Sequence, residues 1–134
     1  MSSTPPRPGG DLELVLLSTL WERQCSELTV RDLYESVGRP RGIVYTTVAK
    51  VLDRMVDKGL VARKHSDRVY LYRPLVKRSE TQRTMVRDVL ARIIGKDHRP
   101  AVAALVGALE DVSPDLLDDL AAEIAARKEE GDGT

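Results

Sequence analysis

Apolar side chains keep a helical beat through most of the chain and break it once. Leu12, Val15, Leu16, Thr19 and Leu20 fall on one side of a helix over residues 11–23. Val30, Leu33, Tyr34 and Val37 do the same over residues 30–37. There Thr29 and Asp32 are spaced as a capping box, and Gly38 is placed as a C-terminal stop. "RPRG" then reads as a turn. A third helix over residues 44–58 carries Val44, Val48, Val51, Leu52 and Met55 on its apolar face, with Gly59 behind it. The beat then changes to alternation at Val61, Val69, Leu71 and Tyr72, and "HSDR" supplies turn residues. This predicts a hairpin with strands 61–64 and 69–73 and a tip at 65–68. Helical spacing returns after it. "SETQ" is spaced as a capping box ahead of a stripe formed by Met85, Val86, Val89, Leu90, Ile93 and Ile94. Pro100 opens a further helix. Ser113, Pro114 and Asp115 open a last one, with Leu116, Leu117, Leu120 and Ile124 on its stripe.

Three helices, a short hairpin and more helices is the order of a winged helix-turn-helix followed by a helical region, a mainly α fold. A lone hairpin is too small to be stable, so it must lie against the first three helices. The expected organisation is a disordered tail at 1–10, a winged-helix domain at 11–75, a helical dimerisation region at 76–130 and a disordered end at 131–134. The two later stripes offer more apolar surface than the first domain needs, which predicts a symmetric homodimer.

Charge sharpens this picture. The 134 residues hold 21 basic and 21 acidic side chains, net zero. Residues 39–73, however, hold nine basic residues and three acids, and residues 76–134 hold nine basic residues and twelve acids. A basic region on a neutral chain is the footprint of a nucleic-acid binder with a separate oligomerisation part, although a solvated face explains many charge runs. In a winged helix the third helix enters the major groove and its first turns meet base edges. Thr46 and Thr47 would offer a hydroxyl and a methyl each, and Lys50 and Arg54 can reach purine acceptors or phosphates. Arg63, Lys64 and Arg68 on the wing would meet the flanking backbone. With Arg41 from the turn and Tyr45 from the helix, these form the candidate double-stranded-DNA interface.

The run "VYTTVAKVLDRMVDKGLVARK", with "DLELVLLSTLW" upstream and "TVRDLYESV" between, resembles the penicillinase-repressor family of bacterial winged-helix transcription factors. The resemblance spans residues 11–74. It implies a dimer that binds dyad operators and represses transcription, with Thr46, Thr47, Lys50 and Arg54 as DNA-reading positions. Copper-responsive members carry a cysteine-rich metal motif near the C-terminus. This chain has no cysteine after Cys25, so that mode does not carry over. The β-lactam-responsive members are cut by an upstream membrane sensor protease at an Asn-Phe bond. The counterpart here, near Gly107-Ala108-Leu109, has neither residue, which sets that partner in question.

Other features read plainly. A single cysteine allows no intrachain disulfide and fits a reducing compartment. "MSSTPPRPGG" has no apolar core, which argues against a signal peptide and for the cytoplasm. His65 and His98 lie far apart in sequence and lack a nearby Cys partner, so no metal or cofactor is expected. Tyr70 and Tyr72 are expected to pack the wing. No catalytic triad, phosphate-binding glycine loop or paired ligand motif is present, so an enzyme is not expected. Two competing functions remain: a winged helix that docks an acidic protein through its basic hairpin, and a regulator that responds to a small ligand.

Overall fold

The first helix, α1 (Asp11–Glu22), forms where the periodicity places it and buries Leu16, Leu17, Leu20 and Trp21. It belongs to a computed structural model that describes residues 6–23 and 27–132. Cys25 lies outside the described residues, as do the first five and the last two of the chain. Two residues then add a strand that sequence spacing does not reveal, β1 (Leu28–Thr29). A two-residue strand has no period to detect. The capping box is real despite the short Asp: Thr29 N–H donates to Asp32 Oδ2 and Asp32 N–H donates to Thr29 Oγ1, both at 3.0 Å.

Helix α2 (Val30–Leu33) is shorter than expected because its backbone loosens rather than stops. It widens into a π-type turn over Tyr34–Gly38 and then tightens into a 3₁₀ turn over Arg39–Arg41. Gly38 is therefore not the left-handed stop that its position suggests. Its φ is −72°, and the left-handed residue is Gly42, at φ 68°. Glycine is needed at 38 for space. A β-carbon there would lie 2.9 Å from the Tyr34 ring, 2.9 Å from a Val48 methyl and 3.2 Å from the Ile43 carbonyl oxygen. The backbone of the second helix thus sits directly on the third.

Helix α3 (Tyr45–Asp57) buries Val48, Val51, Leu52 and Met55 as the spacing predicts. Val44 does not join them. It precedes the helix in extended conformation and is 61% exposed. Gly59, at φ 80°, ends the helix in a Schellman motif, with Leu60 N–H donating to Met55 O and Gly59 N–H to Val56 O, both at 3.0 Å.

The hairpin strands are longer than expected, β2 (Val61–Ser66) and β3 (Val69–Pro74). Only Asp67 and Arg68 turn between them, both at positive φ (46° and 72°), as in a type I′ turn. Ser66 faces Val69 at the tip and Val61 faces Pro74 at the base. β1 pairs antiparallel with β3, Leu28 opposite Tyr72, so the sheet order is β1-β3-β2. This third strand ties the wing to the start of α2. The shared core gathers Leu16, Leu20, Leu33, Val37, Leu52, Met55, Leu60 and Tyr72 from all of these elements. Burying each such aliphatic side chain contributes about 1.5–3 kcal/mol. Tyr72 packs the wing as expected, whereas Tyr70 lies exposed on it.

Helices α4 (Arg78–Ile93), α5 (Arg99–Val112) and α6 (Asp115–Asp132) follow. α4 starts one residue before Ser79, which places Ser79 in the first turn rather than at the cap. α6 runs to Asp132, past the expected end of order at residue 130. The chain divides into two units, 1–87 and 88–134. The first thus takes in the opening turns of α4, which the sequence places in the dimerisation region. Trp21 helps hold them: its Nε1–H donates to Val76 O at 3.0 Å, and the Arg78 guanidinium sits 5.9 Å from its ring centre. In the second unit α5 and α6 pack together, and Ala101 is buried. Among the described residues no helix is long and apolar enough to cross a membrane.

Candidate nucleic-acid interface

The Schellman stop and the buried stripe fix the rotation of α3, which leaves Tyr45, Thr46, Thr47 and Lys50 exposed on its first turns. None of the four is part of the core. Tyr45 meets Tyr34 edge-to-face at 5.7 Å, and the Arg39 guanidinium lies 5.6 Å from the Tyr34 ring centre. Arg41 donates from its guanidinium to Val37 O at 3.2 Å, which holds it beside the entry to α3.

The later turns of α3 serve a different purpose. Arg54 Nε donates to Glu13 Oε2 at 3.1 Å, and Lys58 Nζ donates to the two Glu13 oxygens at 2.9 and 3.1 Å. Gly9 N–H adds a bond to Glu13 Oε1 at 3.1 Å. Arg54, a candidate base reader, is thus drawn back to α1. Residues 6–10, expected as part of a tail, are described, and Gly9 is anchored through this bond.

The Glu13 side chain is only 4% exposed. Burial by itself raises its pKa, but the bonds from Lys58, Gly9 and Arg54 together hold the carboxyl below its ordinary value of 4.5. The folded chain therefore binds this proton less readily than the unfolded chain. The stabilisation is complete above about pH 4.5 and is lost as pH falls through the lowered folded value. Glu13→Gln is expected to cost about 1.5–3 kcal/mol at neutral pH, the range for bonds to charged groups. It should also flatten the acid limb of the stability profile. Urea unfolding at pH 7 and at pH 3.5 measures both, and an unchanged profile would exclude Glu13 as the acid-sensitive tie.

On the wing, Arg63 pairs with Asp53 at 2.6 Å and lies 4.6 Å from the Tyr70 ring centre. Lys64 pairs with Glu27 at 3.1 Å. Exposed pairs of this kind are worth about 0–1 kcal/mol, so a phosphate can displace either acid. Arg68 and Lys50 have no ion-pair partner among the described residues. Tyr45, Thr46, Thr47, Lys50 and Arg68 are exposed, and Tyr45 and Arg68 line one cleft. Arg41 is bonded to the Val37 carbonyl, Arg63 and Lys64 are paired with Asp53 and Glu27, and Arg54 is bonded through Nε to Glu13. Arg31 is a basic residue of this region that sequence reasoning passed over. It lies in the first turn of α2, and its place inside the capping box was the only available signal.

Residues 9–126 match the penicillinase repressor family. A transcriptional regulator BlaI of Mycobacterium tuberculosis (strain CDC 1551 / Oshkosh) is 36% identical over 116 residues, covering 87% of this chain and 82% of its own length. The solution structure of the DNA-binding domain of the repressor BlaI covers 60% of this chain and 93% of its own, at 21% identity and a TM-score of 0.49. A MarR family protein from Bacillus stearothermophilus covers 82% of this chain and 76% of its own, at 22% identity and a TM-score of 0.44. On the family match and the mycobacterial relative, the chain belongs to the penicillinase repressor family and is a transcriptional regulator rather than an enzyme.

Proposed function

We propose that this repressor binds a two-fold operator in double-stranded DNA as a homodimer, in the bacterial cytoplasm. The observation that carries the proposal is the split of α3: its core face is buried while Tyr45, Thr46, Thr47 and Lys50 stand exposed on its first turns. In a winged helix these turns enter the major groove. Thr46 and Thr47 present hydroxyls and methyls to base edges, and Lys50 reaches a purine acceptor or a phosphate. Arg41 and the wing hold the flanking backbone, with Arg68 unpaired among the described residues and Arg63 and Lys64 released from Asp53 and Glu27 on contact.

Dimerisation is supported by an inverted helix. In the single chain α4 buries Thr81 and Thr84 but leaves Val86 and Ile93 51% exposed, with Val89 and Ile94 also exposed and Met85 and Leu90 half-buried. Such an apolar face outside a core marks an association surface. On α6, Leu116, Leu117 and Leu120 are half-buried and Ile124 is exposed, and they extend the proposed dimer contact.

Genome-wide mapping of bound sites supplies the operator, and equilibrium binding across salt concentrations then tests the proposal. Affinity should fall by about 10³- to 10⁵-fold between 50 and 200 mM salt if the dimer makes six to ten phosphate contacts. The sites should carry inverted repeats. Salt-insensitive binding, or sites without a dyad, would reject this reading.

A further inference from the structure

We propose that one backbone phosphate of each bound half-site is seated in the cleft between the start of α2, the start of α3 and the tip of the wing. This deepens the DNA-binding reading and rests on it. The cleft encloses about 200 Å³, and Thr29, Arg31, Tyr45, Arg68 and Tyr70 are among the residues that line it. Among the described residues its walls hold two arginines and no carboxylate. Arg31 comes from the α2 side and Arg68 from the wing, so cations converge from two elements that are far apart in sequence.

Both arginines are available for an anion. Arg31 makes only a long ion pair with Glu35, Nε to Oε1 3.8 Å, beyond hydrogen-bond length, and both side chains are exposed, so a phosphate can displace it. Arg68 has no ion-pair partner among the described residues, unlike Arg63 and Lys64 behind it. Thr29 Oγ1 already accepts a bond from Asp32 N–H, which leaves its hydroxyl proton for another acceptor. A phosphodiester fits this set. It brings a single negative charge and two non-bridging oxygens, and two guanidinium groups give it charge-assisted bonds. Tyr70 offers an apolar wall beside the attached sugar.

The seat has a positional consequence. Tyr45 belongs both to the cleft and to the first turn of the reading helix, next to Thr46 and Thr47. A phosphate held there fixes the register at which those threonines meet base edges. Arg31 and Arg68 are therefore positioning residues, which carry no sequence information themselves.

The experiment uses the full chain and a duplex it selects from a random-sequence library. Arg31→Ala and Arg68→Asn are made singly and together; Asn is chosen at 68 because it tolerates the left-handed backbone found there. The double variant should melt as the parent does, bind about 10- to 100-fold more weakly, and lower the salt slope by about one per protomer, since both arginines serve one phosphate. Its ranking of operator sequences should stay the same. Neutral methylphosphonates placed one at a time along the duplex locate the seat. One position per half-site should weaken the parent protein about tenfold and leave the double variant unaffected. Parental affinity and slope in the double variant would overturn the seat, and so would a methylphosphonate effect equal in both proteins. Thr46→Ala with Thr47→Ala separates the two levels. If that pair loses affinity while the arginine variants do not, only the seat falls; if neither does, the DNA-reading assignment falls with it.

Discussion

Replacing Thr46 and Thr47 by alanine is expected to leave the fold intact and to lower operator affinity by about 1–3 kcal/mol for each side chain. Both are exposed on α3 and contribute nothing to its buried stripe of Val48, Val51, Leu52 and Met55. The loss should be confined to specific sites. Binding to random duplex rests on phosphate contacts and should change little. Each single variant should also relax the preference at one operator position. Val48→Ala provides the contrast, since Val48 is fully buried and its truncation should lower the melting temperature. Competition binding with operator and random duplexes, alongside thermal melts, measures all of this. Unchanged operator affinity in the Thr46→Ala, Thr47→Ala double variant would remove α3 as the reading element. Docking of an acidic protein partner would then become the better account.

A chain ending at residue 87 should fold, remain monomeric, and bind the operator roughly 10²- to 10⁴-fold more weakly than the full chain. It keeps the whole first unit, including the Trp21 bond to Val76 that anchors the start of α4. It loses Val89, Leu90, Ile93 and Ile94 together with α5 and α6. Once one half-site is bound, a dimer meets the second at high effective concentration, and that advantage vanishes in a monomer. Val89→Glu with Ile93→Glu tests the same point in the intact chain, because both positions are exposed in a single copy and a charge there leaves the fold undisturbed. Light scattering and operator binding should move together in both. Full affinity from a monomeric species would refute the dimer reading.

The sequence shows the long-period features well. α1, α3 and the hairpin emerge within a few residues of their ends because α1 and α3 carry apolar stripes, α3 also has Gly59 as a stop, and the hairpin alternates around turn residues. Local spacing does not show what depends on distant partners. β1 is two residues long and exists because Leu28 finds Tyr72 across the chain. Arg54 looks identical in sequence to a base reader, and only the fold brings Glu13 to it. Val44 keeps the period of the apolar stripe, yet the helix begins one residue later, so its side chain leaves the core. Within the candidate interface, residues on the first turns of α3 could be named from their pattern. Arg31 could not, because its relation to Arg68 depends on the β1–β3 pairing that draws the start of α2 to the wing.

The crowding at Gly38 bears on how genetic data for this protein should be understood. A screen that scores derepression cannot tell a chain that has lost its grip on DNA from one that no longer accumulates. Position 38 would emerge among the most intolerant sites in such a screen, since even a methyl group meets the Tyr34 ring, Val48 and the Ile43 carbonyl. It lies between two arginine-bearing segments at the approach to α3, where a loss-of-repression allele invites assignment to the operator surface. Measuring cellular protein level beside repression would place it with the structural alleles, and would keep a packing contact from being counted as part of the recognition code.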